Sequence, residues 1–421
     1  MSKINMNFSY VRKVILGVIA VGVIFAAGYI LGSNGFKLET ASFPKIKISR
    51  EVPQDKRDVD FSLFWRVWDT LNTSYYDKSK ISPQKMVYGA ISGMVASLGD
   101  PYTAFLPPEE NKVIEEDLSG SFEGVGIQIG YKGKNLAVIA PLPGSPADEA
   151  GVKAGDLIIE IKDEEKKIDI GTNGMTLTDA VKLIRGKAGT KIILFLLREG
   201  VSEPIKTEIT RKNIDVPSVI LSFIDINGII AENGTIAHIK LLKFGADTMA
   251  EWTKTVNEVV GKRGVKSIVL DLRNNPGGYM QGAVDIASEF VKTGSVVVIE
   301  DKGGINKQEY KTNKIGAFND YKLVILVNGG SASASEILAG ALREIKGVKL
   351  VGEVTFGKGT IQEPLQLEQG SGLHITIAKW LTPKGVWVNE KGFEPDVKIE
   401  DKVDTQVDEQ LLEAIKVLSK N

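Results

Sequence analysis

"KLVILVNGGSASASEILAGALREI" (Lys322–Ile345) reads as a buried strand, a tight glycine turn and an apolar-periodic helix. The unit recurs along the C-terminal half of the chain. "TIAHIKLLKF" reads as a strand, "GADTMAEWTKTVNEVV" as a helix and "VKSIVLDLRNN" as a buried strand. "YMQGAVDIASEFV" is a helix and "KLVGEVTF" another strand. Alternation of this kind predicts an α/β layer with a largely parallel sheet from about Lys212 onward. In such sheets functional groups gather at the carboxyl ends of the strands. Asn274–Gly278, Asn328–Ser333 and Phe356–Gly359 all lie just past strands, so three loops can converge.

The whole chain has 421 residues, enough for two or three domains with real cores at 43% hydrophobic content. Its 52 basic and 53 acidic residues leave a net charge of −1, which offers no footprint for nucleic acid. It has no cysteine, so disulfides, thiolate metal sites, a cysteine nucleophile and a lipoprotein start are excluded. At the N-terminus, Lys3, Arg12 and Lys13 precede "VILGVIAVGVIFAAGYILG" (Val14–Gly32), which carries no charge. At ~1.5 Å per residue that run spans about 28 Å, close to a bilayer's hydrocarbon thickness. Basic residues before it predict a cytoplasmic N-terminus, a single-pass anchor and an extracytoplasmic remainder. A signal peptide cut near Ala26–Ala27 is the rival reading; both put the rest of the chain outside.

The expected organisation is mixed α/β and multidomain. Residues 1–33 form a basic tip and membrane anchor, and 34–118 a linker and helical region. Residues 119–211 form a domain of short strands, 212–400 an α/β core and 401–421 a C-terminal helix. The stretch 33–59, with Pro44 and Pro53, reads as linker. Phe61, Phe64, Trp65, Trp68 and Leu71 then recur at helical spacing, and so do Met86, Val87, Ala90, Ile91, Met94, Val95 and Leu98 after Pro83. Core packing is the plain account of the aromatic stripe; a homodimer contact is the bolder one.

Between Gly120 and Arg211 come "FEGVGIQI", a glycine turn into a strand; "PLPGSPADEAGVKAGDLIIEI", a loop, short helix and strand; and "TLTDAVKLIRGKAGT", a helix with Thr176 and Asp179 as a capping pair. With the strand "KIILFLLREG" this succession resembles a PDZ domain of the circularly permuted bacterial type. The resemblance implies that the turn Gly124, Val125, Gly126 and Ile127 binds a free C-terminal carboxylate through backbone N–H groups, the peptide adding as a strand.

Three loops could carry chemistry. Ser331, Ser333 and Ser335 alternate through the turn. Ser333 with Glu336 forms a capping box, worth about 1 kcal/mol to the helix. A serine at a helix N-terminus also sits beside free N–H groups and the positive dipole end, which would stabilise an oxyanion. Geometry does not choose among the three. The two histidines, His238 and His374, lie in alternating strand-like runs away from strand ends, and read as packed or sheet-surface residues. Lys358, in the glycine-flanked turn of "EVTFGKGTIQEP", is the better candidate base, since burial can depress a lysine's pKa. Gln362 follows four residues later and can orient the amine. "DLRNNPGG" (Asp271–Gly278) turns sharply and frees backbone N–H groups for an oxyanion hole.

Together "LGDPYTAFL", the PDZ-like block, "LDLRNNPGG", "NGGSASASEI", "TFGKGTIQ" and "TPKGVWVNEKGFEPDV" make the chain from about Phe61 to Val397 similar to the C-terminal processing peptidases, also called tail-specific proteases. The resemblance implies a serine–lysine endopeptidase selecting substrates by apolar C-terminal tails. By motif, Ser333 is the nucleophile, Lys358 the base and Gln362 its orienting partner, with Gly278 and the Ala334 N–H as oxyanion donors. Apart from the resemblance, Arg185, closing the PDZ helix, would either link tail binding to the core through a charge pair or serve only as a cation at the helix C-terminus. Gly392-Phe393-Glu394 departs from the family's usual Gly-Ile in what reads as a peripheral loop. No metal or organic cofactor is implied. "GEVTFGKG" almost matches a P-loop, but Gly359 replaces the Mg²⁺-binding hydroxyl and the following "TIQEPLQLE" is strand-like. A non-catalytic PDZ adaptor would need unsuitable residues at Ser333, Lys358 and Gln362, and all three positions are filled.

Overall fold

The structure is a computed structural model of the chain. It describes residues 60–142, 144–400 and 407–420, the backbone of 36–41 and 45–50, and the positions Gly22, Val23, Phe25, Ala26 and Tyr29. Most of the apolar run Val14–Gly32 lies outside the described residues. Among those described, no helix is long and apolar enough to cross a membrane. The chain divides into Met1–Val87 and Tyr88–Asn421.

In the first unit, β1 (Phe36–Ala41) pairs antiparallel with β2 (Lys45–Arg50), Leu38 opposite Ile48. The expected linker thus contains a strand pair, which the period-2 patterns of "KLETA" and "KIKIS" accommodate on either side of Pro44. α1 (Ser62–Ser74) carries the aromatic stripe, yet none of its residues is buried. Its rings pack on one another instead, Phe64 lying 5.0 Å from Trp65 and 6.2 Å from Trp68. Core packing is therefore not what the stripe does. α2 (Pro83–Ala96) starts in this unit and runs on into the second, where it buries Val95 alone.

In the second unit follow β3 (Ala104–Leu106) and α3 (Pro108–Ser119), which ends in the left-handed Gly120, φ 91°. β4 (Ser121–Gly124) leads into a sheet of β5 (Ile127–Lys132), β6 (Asn135–Pro141), β7 (Leu157–Asp163), β8 (Ile168–Gly171), β9 (Lys191–Leu197) and β10 (Ile205–Thr210). Its order is β10-β9-β7-β6-β5, with β8 on β7. α4 (Pro146–Glu149) and α5 (Leu177–Ile184) complete this segment. Thr176 caps α5, its Oγ1 accepting the Asp179 N–H at 3.1 Å. Leu136, Val138, Ile158, Ile161, Leu194 and Leu196 form its core against Ala180 and Ile184. β11 (Lys212–Asp215) pairs antiparallel with β4, so the chain enters and leaves this segment through one two-stranded neck.

The remaining elements are β12 (Val219–Ile224), β13 (Ile236–Leu241), α6 (Thr248–Gly261), β14 (Ser267–Asp271), α7 (Met280–Ala287), β15 (Val296–Lys302), β16 (Asn306–Lys311), β17 (Lys322–Val327), α8 (Ala334–Lys346), β18 (Lys349–Gly352), β19 (Thr360–Gln366), β20 (Gly372–Leu381), β21 (Val397–Lys398) and α9 (Glu409–Lys420). The main sheet runs β12-β13-β14-β17-β18-β21. Only the edge strand β12 is antiparallel. Strand side chains alternate between two cores. Ile268, Leu270, Ile325 and Val327 face Trp252, Phe290 and Leu338. Val269, Val324 and Leu326 face Leu411, Ala414, Ile415 and Leu418 of α9. A second, antiparallel sheet, β16-β15-β20-β19 with β3 on β20, flanks the first.

α9 is also held ionically. Arg273 donates to both oxygens of Asp271, at 2.9 and 2.7 Å, and to both of Asp408, at 2.9 and 2.8 Å. His238 Nε2 meets Asp271 Oδ2 at 3.1 Å. Burial raises the Asp271 pKa, but hydrogen bonds from His238 and Arg273 overcome it and hold the carboxyl far below the usual range. The resulting stability is present above the ordinary carboxylate pKa and is lost as pH falls through the depressed value. Arg273→Ala strands two carboxylates, one of them buried. At neutral pH it should cost about 3–5 kcal/mol of stability, read by denaturant unfolding. A loss under ~1 kcal/mol would refute this account of the network.

Candidate active site

The turn between β17 and α8 places Ser333 at φ 53° and ψ −115°. L-residues avoid this region, and holding one there costs about 1–3 kcal/mol. The neighbouring serines are occupied. Ser331 is buried, donating to Leu272 O at 2.8 Å and accepting the Asn328 N–H at 3.0 Å. Ser335, also buried, donates to Asn275 O at 2.9 Å. Ser333 lines a cavity of about 600 Å³, shared with Gly278, Lys358, Gln362 and His374.

The loop after β14 is built around Asn275, which is fully buried. Its side-chain oxygen accepts the Gly277 N–H at 2.9 Å, its amide donates to Leu241 O at 2.6 Å, and its carbonyl accepts the Ala332 N–H at 3.0 Å. Asn274 and Asn328 exchange hydrogen bonds across the two loops at 2.8 and 3.0 Å. Gly277 and Gly278 have φ of 99° and 131°. A Cβ on Gly277 would lie 2.8 Å from the Ser333 Cβ, and one on Gly278 2.2 Å from Phe244 O. Only glycines allow this approach. The Gly277 N–H is spent on Asn275, so the next amide along is that of Gly278. The Ala334 N–H opens α8, where helix amides have no intrahelical acceptor.

Glu336 joins the serine loop to the lysine loop. It is fully buried on the first turn of α8. Oε2 accepts the N–H groups of Ser333 at 3.0 Å and Lys358 at 2.9 Å. Oε1 accepts the Thr355 hydroxyl at 2.6 Å and the Gly357 N–H at 2.8 Å. The residues around Lys358 are irregular: β18 ends at Gly352 and β19 starts at Thr360, so Lys358 precedes a strand rather than ending one. Two indoles fix this loop, Trp380 donating to Lys358 O and Trp387 to Gly359 O, each at 2.8 Å. Phe393 closes it from beyond. It is buried, its N–H donates to Thr355 Oγ1 at 2.7 Å, and its ring leaves no room for a Cβ on Gly340 of α8. The segment read as peripheral is part of the core.

Burial pushes the Lys358 amine below its ordinary pKa, against an opposing pull from Asp100. Its Nζ lies 5.0 Å from the centroid of the Tyr102 ring. Burial, then the negative charges of Glu336, Glu390 and Asp100, raise the Tyr102 phenol, which stays neutral at physiological pH. The Gln362 amide donates to Thr360 Oγ1 at 2.8 Å and Thr376 Oγ1 at 3.1 Å. Its donors are thus spent on threonines, and only its oxygen can serve an ammonium. His374 corrects the reading of the strand histidines. It lines the same cavity, and its pKa is lowered by burial and then by Lys358. His238 is buried in its pair with Asp271.

A second cavity, of about 70 Å³, has Val125, Gly126, Ile127 and Arg185 on its walls. Gly124 is not among them; it pairs with Lys212 in the neck. Arg185, capping α5, donates to Glu116 at 3.3 Å and Asp117 at 2.9 Å, and stacks 4.5 Å above the Phe122 ring centroid. Phe122 lines both cavities. Sequence reading missed Tyr102, Asn275, Phe244 and the linking role of Glu336. Tyr102 lies within "LGDPYTAFL" and Asn275 within "LDLRNNPGG", and Glu336 was visible only as a cap.

Three family models match the chain: Peptidase family S41 over residues 235–399, PDZ domain over 138–198, and Activating protease CtpB N-terminal domain over 18–110. The carboxy-terminal processing protease CtpA of Bacillus subtilis is 39% identical over 344 residues, covering 82% of this chain and 70% of that protein. CtpB of the same organism is 31% identical over 388 residues, covering 91% and 77%. The solved structure of a photosystem II D1 C-terminal processing protease superposes with a TM-score of 0.51 at 32% identity, covering 84% of this chain and 96% of that one.

Proposed function

The chain belongs to the C-terminal processing proteases of peptidase family S41, a serine-type peptidase with a PDZ domain, and from that premise we propose that Ser333 and Lys358 form its catalytic pair. The neutral Lys358 amine takes the Ser333 Oγ proton as Oγ bonds to the scissile carbonyl carbon. The negative oxygen so formed is held by the N–H groups of Gly278 and Ala334. Collapse breaks the C–N bond, and the Lys358 ammonium returns the proton to the leaving amine. Water then hydrolyses the acyl-enzyme by the same route. Gln362 accepts from the ammonium through its side-chain oxygen and so orients it.

The observation that carries this reading is the division among the three serines: Ser331 and Ser335 are bound to loop carbonyls, while Ser333 opens onto the cavity that Lys358 lines. Substrates are proteins with exposed apolar C-termini, captured by the groove of Val125, Gly126 and Ile127. The basic start and the run Val14–Gly32 anchor the enzyme in a bacterial membrane with its catalytic part outside. The exposed aromatic face of α1 serves a homodimer.

The reading is tested with an unstructured reporter bearing an apolar tail, as free carboxylate or amide, and a soluble fragment beginning near Gly35. The free acid should be cut at least about tenfold faster at sub-saturating concentration, because docking raises the local concentration of the scissile segment. Equal cleavage of the two forms would remove the tail-directed part. Tail binding without cleavage of either would favour an adaptor.

A further inference from the structure

The oxyanion donor assigned to Gly278 is bracketed by one residue. Phe244 donates its N–H to Gly277 O and accepts the Tyr279 N–H, both at 2.8 Å. Its carbonyl lies so close that Gly278 has no room for a Cβ. The orientation of the Gly278 peptide therefore follows the backbone of Phe244.

Phe244 is placed, in turn, by the last turn of α3. The Ala246 N–H donates to Leu118 O at 2.9 Å, and Lys243 Nζ donates to Asp117 O at 3.2 Å. These carbonyls end a helix and need outside donors. A Cβ on Gly245 would stand 2.6 Å from Leu118 O, so the approach is as close as a glycine allows. The same turn holds the PDZ helix: the Asp117 carboxylate pairs with Arg185 while the Asp117 carbonyl receives Lys243.

We infer that Phe244 is a positioning residue for the oxyanion hole, and that the α3 C-terminus, through Lys243 and Gly245, sets where it stands. The inference rests on the proposed role of Gly278. It gives the peptidase centre a mechanical reference on the helix that also holds the PDZ domain. Any movement of that turn is transmitted to the Gly278 amide through four hydrogen bonds and two close backbone approaches, with no side chain of the catalytic pair involved.

The test compares Gly245→Ala, Lys243→Met and Gly278→Ala in the full-length chain. Each is measured for kcat, for KM, for affinity toward a peptide aldehyde that fills the oxyanion hole once bound to Ser333, and for tail affinity by fluorescence anisotropy. Gly245→Ala should lower kcat and aldehyde affinity together by about 10- to 100-fold, as expected for a displacement near 1 Å. Tail affinity and KM should stay within about twofold, and Lys243→Met should act in the same direction more weakly. Combining Arg185→Ala with Gly245→Ala should give less than the product of the single effects on kcat, the signature of a shared route. Unchanged aldehyde affinity in Gly245→Ala, with Gly278→Ala losing it, would overturn this inference and leave the oxyanion assignment standing. Unchanged affinity in Gly278→Ala would overturn the assignment, and this inference with it. Equal losses of tail and aldehyde affinity in Gly245→Ala would mean general unfolding and would also overturn it.

Discussion

Lys358→Ala, Lys358→Arg and Ser333→Ala are all expected to lower kcat/KM by about 10⁴-fold or more, with tail binding intact. The amine is valuable only when neutral, and burial makes neutrality accessible by pushing its pKa down, with Asp100 partly opposing. Tyr102 offers Lys358 a ring face rather than a second carboxylate. The arginine variant separates charge from basicity, because a guanidinium remains protonated and cannot accept the serine proton. The wild-type rate should climb as pH rises through the depressed amine pKa and then level, since a protonated amine cannot act as the base. Substantial activity in the arginine variant, or a flat profile between about pH 6 and 9, would exclude Lys358 as the base.

Glu336 carries the second large effect. Glu336→Ala should reduce kcat by about 10²–10³-fold, as loss of an oxyanion donor does elsewhere. It strands four donors: the Ser333, Gly357 and Lys358 amides and the Thr355 hydroxyl. Each unpaired group costs about 1–3 kcal/mol, so unfolding should move to markedly lower denaturant. Glu336→Gln is the sharper probe. A carboxylate offers acceptors on both sides, whereas an amide must turn its NH₂ toward one pair of donors. It should keep the fold and tail binding while lowering kcat and leaving KM within a few-fold. Full activity in Glu336→Gln would reduce the residue to a helix cap.

The parallel layer was legible because its strands are apolar on both faces and its helices periodic on one. The loops after β14 and β17 could likewise be placed by counting from strand ends. What joins them could not. Glu336 reaches Thr355, Gly357 and Lys358 only because β18 lies beside β17, and no local pattern reports that adjacency. His374 alternates as any strand residue does, and its place in the cleft depends on the pairing of β20 with β19. The aromatic stripe of α1 met the helical period without being core, since periodicity specifies a face but not what covers it.

Phe122 forms part of the wall of both cavities. A small-molecule inhibitor bound in the larger cavity can pack against the same ring that walls the smaller one. If a tail peptide binds the smaller cavity as proposed and alters that wall, the inhibitor's potency changes with tail concentration, and linkage requires tail affinity to change by the same factor when the inhibitor is bound. Screening against the empty groove and against the filled groove would then rank the same compounds differently.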